Sequence, residues 1–383
     1  MKKTMNILCA SDRNFLHPTY VFMASVMENH KDIKVNFYLL AAEDVTDDDK
    51  AKLKKYINSQ KHEIEFLNVD SSQYDGYVVH EKFPKAAYYR LMAHKYLPEK
   101  MDRILYLDVD IVVDKNIYDD FYSLDFEGKY LIATSHNPNP DYCNLLTPEI
   151  VNLESAARGE YFNSGVLLMN LDMFRKNITL DDYNRAYKAC EKANMEIFYD
   201  QGLLNYMFYD KTKYCSSMDF NYRYSIPIQN KKRLEPGREY KKSVIHYTGM
   251  CQPYKPWDLM LEDEDIEKFG DVPFSNKYFY VNKELNVLLK RWWEYAEKTP
   301  IYEEVLANMK IKQKWFRRNL MDFTLMHNRM VKSLETNNVN VIKQTFYKDK
   351  EILPANFRWT SYKIGCAITA PFRFIKKLFK RKK

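Results

Sequence analysis

The segment Arg103–Val113, RILYLDVDIVV, carries the strongest fold signal in this chain. Its apolar run Ile104–Leu107 is typical of a strand that is buried on both faces. Asp108 and Asp110 follow one residue apart, and alternate side chains of an extended segment point the same way. Both carboxylates can therefore face one point beyond the carboxyl end of a strand, where open α/β sheets bind their ligands.

This pair of carboxylates has two interpretations. Two adjacent anionic groups repel each other unless a cation lies between them, and hard oxygen ligands suit Mg²⁺ or Mn²⁺. Alternatively, Asp108 and Asp110 only end a strand or a turn, because short motifs of this kind also occur without a ligand. We favour the metal site, and the local residues leave the second interpretation open.

Length and composition limit the class of protein. The 383 residues suffice for one large α/β domain and an accessory region. Hydrophobic residues at 46% and aromatic residues at 15% exclude a disordered chain. The six cysteines lack any metal-binding spacing, which indicates reduced thiols in a cytosolic protein. The first apolar run is too short for a signal peptide, and no window reaches the roughly 20 apolar residues of a membrane span.

The positive charge is concentrated at the end of the chain. The net charge is +7, and Arg373–Lys383 contains seven basic residues and no acidic one. The spacing of Phe374, Ile375, Leu378 and Phe379 would place them on one face of a helix, and no other basic patch supports nucleic-acid binding. We predict a helix lying on an anionic membrane surface. A solvated tail and a nucleic-acid-binding arm are the alternatives.

Strands and helices are predicted to alternate along most of the chain. The strands are predicted at Met5–Ala10, Lys34–Leu40, Glu63–Val69, Tyr130–Thr134, Gly165–Asn170 and Ser243–Tyr247, and the helices at His17–Asn29, Thr46–Asn58, Pro84–Tyr96 and Asp200–Tyr209. This order predicts an α/β fold with a mostly parallel, doubly wound sheet. Asn163–Gly165 is predicted as a tight entry to the strand Gly165–Asn170, and Asp172 is predicted as a helix N-cap. We predict a sheet domain over residues 1–258 and a mainly helical accessory region over 259–383.

Several polar side chains stand at the ends of these elements. Asp12 and Asn14 follow the first strand, where they either bond a base or ribose or form an ordinary turn. Asp200 and Gln201 open a helix, where both are good caps. A lone histidine in an apolar strand, such as His246, is more often a core residue than a ligand. The two carboxylates that await a third ligand favour the ligand role for His246.

Six motifs occur in a characteristic order over roughly residues 5–258. They are CASDRNF, YYRL, ILYLDVDIVV, YFNSGVLLMNL, YDQGLLN, and IHYTG followed by KPW. With these motifs the chain resembles glycosyltransferase family 8. It is most similar to the bacterial retaining galactosyl- and glucosyltransferases of lipooligosaccharide or related surface-glycan synthesis.

The resemblance implies a fold, a cofactor and partners. The fold is the GT-A type, a Rossmann-like nucleotide-diphospho-sugar transferase sheet with helices on both faces and a C-terminal helical region. The cofactor is Mn²⁺, with Mg²⁺ as the alternative. The donor is UDP-glucose or UDP-galactose, and the acceptor is a glycan on a lipid carrier. A basic tail of this kind implies a cytoplasmic enzyme that is peripheral on the inner face of the cell membrane.

The resemblance also implies roles for single residues. Asp108, Asp110 and His246 would bind the metal. The residues implied to contact the donor are Asp12, Asn14, Arg90, Asn163, Asp200, Gly249 and Lys255. Gln201 would lie near the anomeric carbon, so that Gln201 and Asp200 are the candidate catalytic residues. Because Gln201 is an amide and a poor nucleophile, we predict front-face attack rather than double displacement.

Two other functions are alternatives to sugar transfer. An Asp-x-Asp pair at a strand end also serves phosphohydrolases that form an aspartyl phosphate, although here Ile111 and Val112 follow instead of Gly-Thr. A catalytically silent, membrane-associated scaffold could also keep a glycosyltransferase fold, because fold does not guarantee function.

Overall fold

The central strand β4 (Arg103–Leu107) lies between β1 (Thr4–Ser11) and β7 (Phe162–Asn170) in the computed structural model of the chain. The structure describes residues 3–79, 85–135, 161–192, 199–215, 220–223, 242–248, 255–258 and 283–314. Ile104, Leu105 and Leu107 of β4 have no exposed surface. The expectation that this apolar run forms a strand buried on both faces is confirmed.

The other elements follow the predicted order. The remaining strands are β2 (Lys34–Ala41), β3 (Glu63–Leu67), β5 (Ile111–Val113), β6 (Leu131–Ser135), β8 (Thr212–Cys215), β9 (Tyr222–Arg223) and β10 (Val244–His246). The helices are α1 (Leu16–Asn29), α2 (Asp47–Ser59), α3 (Leu171–Asn177), α4 (Leu180–Lys192), α5 (Tyr199–Phe208) and α6 (Lys283–Ala296). A further helix covers residues 302–314. The predicted helix near Pro84–Tyr96 is a 3₁₀ segment, Lys85–Lys95, with non-helical backbone angles at Met92.

The main sheet has the strand order β3-β2-β1-β4-β7-β6-β8. Strands β3, β2, β1 and β4 are parallel, and β7 runs antiparallel to both β4 and β6. The chain leaves β1 toward one edge through β2 and β3 and returns on the other side of β1 at β4. The strand order therefore reverses between β1 and β4, which is where doubly wound sheets bind ligands. The predicted mostly parallel sheet is confirmed.

Helices cover both faces of this sheet, because alternate residues of each strand point to opposite sides. On one face, Ile7 and Leu105 are buried in a core that includes residues of α1 and α2. On the other face, Leu8 and Tyr106 are buried with residues of the segment Lys85–Lys95 and of α3, α4 and α5. A fully buried side chain of this size contributes about 1.5–3 kcal/mol. The two cores hold the strand ends in fixed positions.

Local signals predict the helix ends with mixed success. Thr46 caps α2 as predicted, and Asp49 completes a capping box with it. The predicted cap Asp172 is wrong, because Asn170 is the N-cap of α3 and its side chain accepts a hydrogen bond from the Met173 amide at 3.2 Å. The residues predicted as a tight entry, Asn163–Gly165, already belong to the strand, which begins at Phe162. These residues lie inside β7, which pairs with β4 and β6.

A second sheet of three short strands has the order β5-β10-β9. Strand β10 is antiparallel to β5, with His246 opposite Ile111. It is parallel to β9, with His246 opposite Arg223. Because Ile111 directly follows Asp110, this register brings the end of β10 to the end of β4.

The chain forms two compact units. Among the described residues, the first contains those up to Arg223 together with 242–248 and 292–303, and the second contains 255–258, 283–291 and 304–314. Tyr295 belongs to the first unit, where its hydroxyl donates to Asp114 at 2.7 Å. The domain boundary near Asp258 stays a prediction. In the described ranges, no helix combines the length and apolar character needed to cross a membrane.

Candidate active site

Three side chains converge at the carboxyl end of β4. Asp108 and Asp110 follow the strand, and His246 ends β10. The Nε2 atom of His246 lies 3.0 Å from Oδ1 of Asp110 and 3.6 Å from Oδ2 of Asp108. One ligand atom of each residue lies within 4.8 Å of the other two. The histidine is buried, whereas both carboxylates are partly exposed. The structure thus brings the three predicted metal ligands together.

A glycine lies directly against this cluster. Gly165 lies in β7, and its carbonyl accepts a hydrogen bond from the Asp108 amide at 2.9 Å. A Cβ atom at this position would lie 2.3 Å from Cε1 of His246 and 2.5 Å from Oδ2 of Asp108. No side chain fits there without moving these two residues. The absence of a side chain at Gly165 therefore leaves the space in which Asp108 and His246 converge.

The chemistry of the donor set fits a divalent cation. Two carboxylates and one imidazole are ligand types that hard and borderline divalent metals accept. The three groups face one another across a few ångströms, and the space beside them is one that a Cβ at position 165 would fill. In the part of the chain that the structure describes, Asp108, Asp110 and His246 are accordingly the group that could hold a metal ion.

A buried arginine lies behind the cluster. Arg90 Nη2 lies 3.0 Å from Oδ1 of Asp108, and its Nε lies 3.3 Å from Oδ2 of Asp200. Arg90 also donates to the carbonyl of Ser164 at 2.8 Å. Its Cζ atom lies 4.1 Å from the centre of the Tyr106 ring. Burial alone would lower the pKa of the guanidinium, but the charges of Asp108 and Asp200 outweigh it and raise that pKa. Arg90 thus remains a cation between two carboxylates.

Burial raises the pKa values of two groups next to Arg90, the carboxyl of Asp200 and the hydroxyl of Tyr106. Burial raises the pKa of Asp200, and the charge of Asp108 raises it further, while Arg90 acts in the opposite direction. Burial also raises the pKa of the Tyr106 hydroxyl well above its usual range. Tyr106 therefore keeps its proton, which it donates to Oδ1 of Asp108 at 2.9 Å.

A row of amide side chains continues from the cluster toward α5. The Nδ2 atom of Asn163 donates to Oε1 of Gln201 at 2.8 Å, and the Ser164 amide donates to the same oxygen at 3.3 Å. The Nε2 atom of Gln201 donates to the hydroxyl of Tyr161 at 3.1 Å. The predicted sugar-binding residue Asn163 and the predicted catalytic residue Gln201 are therefore in direct contact.

The end of β1 supplies the predicted nucleotide contacts. Asp12 caps the 3₁₀ segment Arg13–Phe15, and its Oδ1 accepts a hydrogen bond from the Phe15 amide at 3.0 Å. Asn14 lies in this segment and is exposed. Burial raises the pKa of Asp12, although the Phe15 amide opposes that shift. This geometry supports the turn interpretation and leaves the contact with uridine or ribose as a prediction.

The predicted diphosphate-binding residues are described only in part. Lys255 belongs to the second compact unit, where its ammonium lies 5.9 Å from the centre of the Trp257 ring. Gly249 and the tail Arg373–Lys383 lie outside the described residues. The roles assigned to Lys255 and Gly249 stay predictions.

The sequence profile of glycosyl transferase family 8 matches residues 6–260, more than half of the chain. The chain belongs to glycosyltransferase family 8. This family 8 protein is therefore an enzyme of sugar transfer, as its motifs predicted. Membership also removes the support for the phosphohydrolase interpretation of the Asp-x-Asp pair.

Two curated bacterial relatives are similar over most of their length. The lipopolysaccharide 1,2-glucosyltransferase of Escherichia coli is 26% identical, over 72% of this chain and 82% of the relative. The lipopolysaccharide 1,3-galactosyltransferase of Salmonella typhimurium is 23% identical, over 66% of this chain and 73% of the relative.

A solved structure shares the fold of this family 8 enzyme. The galactosyltransferase LgtC, in complex with donor and acceptor sugar analogs, superimposes with a TM-score of 0.58 at 22% identity. The match covers 77% of this chain and 96% of LgtC. The predicted GT-A-type fold is thereby confirmed.

Sequence reasoning missed three residues of the site. Tyr106 precedes Asp108 by two positions on an extended segment, so strand alternation could have identified it. Gly165 stands inside a predicted strand, where an isolated glycine indicates a close approach of another group. Asn221 contacts both His246 and Asn163. It directly precedes the two-residue strand β9, and no local sequence pattern marks it as a site residue.

Proposed function

We propose that this family 8 enzyme transfers glucose or galactose from a UDP-sugar to a hydroxyl of a surface-glycan acceptor, with retention of the anomeric configuration. The observation that carries the proposal is the cluster of Asp108, Asp110 and His246 at the point where the strand order reverses. A nucleotide held by the ends of β1 and β4 would have its diphosphate beside these three side chains. The names of the two lipopolysaccharide relatives support a hexose and a lipid-linked glycan acceptor.

We further propose Mn²⁺ as the metal, with Mg²⁺ as the alternative. A divalent ion held by Asp108, Asp110 and His246 would supply positive charge next to the leaving diphosphate. The protein's own part is to fix these ligands in place. Asp108 is held by the hydroxyl of Tyr106 and by the guanidinium of Arg90, and His246 is held by Asn221.

Arg90, Asn163 and Asp200 would hold the donor sugar, with Gln201 near its anomeric carbon. The carboxylate of Asp200 is buried and paired with Arg90, which suits a group that orients a hydroxyl. Lys255 and Gly249 remain proposed contacts of the diphosphate. Asp12 and Asn14 remain proposed contacts of uridine and ribose.

Retention is proposed to proceed by front-face attack. Double displacement needs a carboxylate nucleophile, but Gln201 is an amide and Asp200 is in an ion pair with Arg90. In front-face attack, the bond from the anomeric carbon to the phosphate oxygen breaks while the acceptor oxygen bonds to that carbon. The acceptor proton moves to the departing phosphate oxygen. Detection of a covalent glycosyl–Asp200 species by mass spectrometry would contradict this route.

The deciding experiment measures UDP release from a panel of UDP-sugars with Mn²⁺. An Asp110→Asn variant and an EDTA-treated sample serve as controls. We expect slow hydrolysis of one UDP-sugar that is lost in both controls. Absence of release from every donor, by folded protein that binds neither Mn²⁺ nor UDP, would instead support the silent scaffold.

The tail Arg373–Lys383 is proposed to bind the anionic inner face of the cell membrane, which would make the cytoplasmic enzyme peripheral there. Each basic residue near such a surface contributes about 1 kcal/mol. Sedimentation with vesicles that contain anionic lipid should pellet the full chain but not a variant that ends at Pro371. Equal binding to neutral vesicles would contradict the proposal.

A further inference from the structure

Asn221 lies between the metal-ligand cluster and the amide row, and its side chain contacts both. It has no exposed surface. Its Nδ2 atom donates to Oδ1 of Asn163 at 2.9 Å, and its Oδ1 atom lies 2.9 Å from Nδ1 of His246. Because all three residues belong to the first compact unit, these contacts form one continuous path within that unit.

A backbone amide determines the direction of every hydrogen bond in this path. The Gly165 N–H can only donate, and it meets Oδ1 of Asn163 at 3.1 Å. The group of Asn221 that faces the same oxygen must then be its NH₂, so its Oδ1 faces His246. An amide oxygen only accepts, which requires a hydrogen on Nδ1 of the imidazole.

We propose that Asn221 is a positioning residue that holds His246 in the tautomer with a hydrogen on Nδ1 and a lone pair on Nε2. In that tautomer the lone pair of Nε2 can bind a cation, which would replace the contact that Nε2 makes with Oδ1 of Asp110 at 3.0 Å. The same amide also fixes Asn163, which in turn orients Gln201. Asn221 therefore couples the metal side of the site to the sugar side. This inference rests on the proposed metal-dependent function.

The geometry favours this role over simple core filling. A buried amide that makes only structural bonds can bond any neighbouring polar group, but both partners of Asn221 are predicted site residues. Partners that orient a metal-binding histidine typically change metal affinity or activity by about 10- to 100-fold when they are replaced. We expect an effect in this range from Asn221.

The first test reads the tautomer directly, without metal or substrate. Protein labelled with ¹⁵N-histidine is measured by long-range ¹H–¹⁵N spectroscopy, which shows which ring nitrogen carries a hydrogen. The His246 signal is assigned by its loss in a His246→Gln variant. We expect hydrogen on Nδ1 in the wild type and a shift toward the other tautomer in Asn221→Leu. Hydrogen on Nε2 and none on Nδ1 in the wild type would overturn the inference, whatever the enzyme's activity.

The second test separates the two sides of Asn221 by substitution. Asn221→Asp keeps an acceptor for His246 but cannot donate to Asn163, whereas Asn221→Leu loses both bonds. Mn²⁺ affinity in the presence of UDP, measured by electron paramagnetic resonance, should fall about 10- to 100-fold only in Asn221→Leu. The turnover number for UDP-sugar hydrolysis should fall in both variants.

A control variant is available at the opposite end of the strands. Asn36 in β2 bonds Asn6 in β1 at 3.0 Å, near the amino ends of the strands. Asn36→Leu should lower the unfolding midpoint without changing the tautomer or Mn²⁺ affinity. Equal losses of Mn²⁺ affinity in Asn221→Leu and Asn36→Leu would show that Asn221 has only a packing role. A wild type that fails to bind Mn²⁺ with UDP would contradict the proposed function itself.

Discussion

The Nε2 atom of His246 lies 3.0 Å from Oδ1 of Asp110, although 136 positions separate the two residues in the sequence. The antiparallel register of β10 and β5 creates this contact, and the Tyr247 amide adds a hydrogen bond to the Asp110 carbonyl at 2.9 Å. The cluster therefore depends on a backbone pairing between distant parts of the chain. Its metal affinity should respond to changes in any of its three ligands.

Replacement of Asp110 by Asn removes one anionic ligand and leaves its size unchanged. We expect Mn²⁺ affinity to fall by more than the roughly 10- to 100-fold lost with an outer partner of a ligand. Calorimetric titration with Mn²⁺ and UDP measures the change. Asp48→Asn, on an exposed part of α2, is the matched control and should bind Mn²⁺ as the wild type does. Unchanged affinity in Asp110→Asn would contradict a role for Asp110 as a ligand.

Replacement of Gly165 by Ala should disrupt the cluster without changing any ligand. The new methyl group would lie within 2.5 Å of Asp108 and still closer to His246, so both must move. We expect a loss of about 1–3 kcal/mol in the free energy of unfolding, together with weaker Mn²⁺ binding. Urea denaturation and a Mn²⁺ titration measure the two effects.

Gly76 provides the comparison for that substitution, because a Cβ atom there would meet nothing within 4 Å. Gly76→Ala should change neither quantity appreciably. If both alanine variants behave alike, the close approach at Gly165 has no role in the site.

Replacement of Arg90 by Met leaves Asp108 and Asp200 without their shared cation. Because Arg90 and Asp200 are both buried, we expect a loss of about 3–5 kcal/mol in the free energy of unfolding at neutral pH. Combination with Asp200→Asn should recover part of that loss, since one of the uncompensated charges is then absent. Denaturation of both single variants and the double variant gives the coupling energy.

Arg13 is a suitable control for this experiment, because it is exposed and its Nε lies 3.6 Å from Oδ2 of Asp49. Arg13→Met should cost less than about 1 kcal/mol. A double variant no more stable than Arg90→Met would show that Asp200 is not destabilised by the missing cation.

The stability of the fold should depend on pH through His94. Burial lowers the pKa of His94 to about 4, with smaller contributions from Lys95 and Arg175. The unfolded chain has the ordinary value of about 6.5, so it takes up a proton in this interval that the native protein does not. The free energy of unfolding should therefore fall as the pH decreases from about 6.5, by about 2 kcal/mol at pH 5.

Urea denaturation near pH 7.5 and near pH 5 measures this dependence. His94→Leu should flatten it, leaving a smaller dependence to which His30 contributes because burial lowers its pKa as well. An unchanged difference between the two pH values in His94→Leu would rule out His94 as the origin.

The sequence predicted the parts of the fold that depend on local pattern. Apolar runs predicted β1 and β4, and the capping residues Thr46 and Asp49 marked the start of α2. The assignment of a cap to Asp172 failed because the helix begins directly after β7, so that Asn170, the last residue of the strand, is also the N-cap. The end of β7 at Asn170 was predicted, but its start at Phe162 depends on pairing with β6, which no local pattern encodes.

The candidate site also contains both residues that the sequence predicted and residues that it did not. Asp108 and Asp110 could be recognised as a pair because strand alternation directs both to one side. The proposed ligand role of His246 was favoured by the two carboxylates that lacked a third ligand and by the family resemblance, because its short apolar strand alone indicates a core residue. Asn221 could not be predicted, because its importance arises only when β9 and β10 pair.

The pairing of β5 with β10 also sets an order of events during synthesis. Every strand of the seven-stranded sheet precedes residue 216 of the chain, whereas His246 and its neighbours leave the ribosome later. A growing chain can therefore complete the main sheet before β10 is available to pair with β5, when only two of the three proposed metal ligands have emerged. Domains commonly fold as they are synthesised. The nascent enzyme would then pass through a folded but inert stage, and capture of the cation would be among the last steps of its maturation.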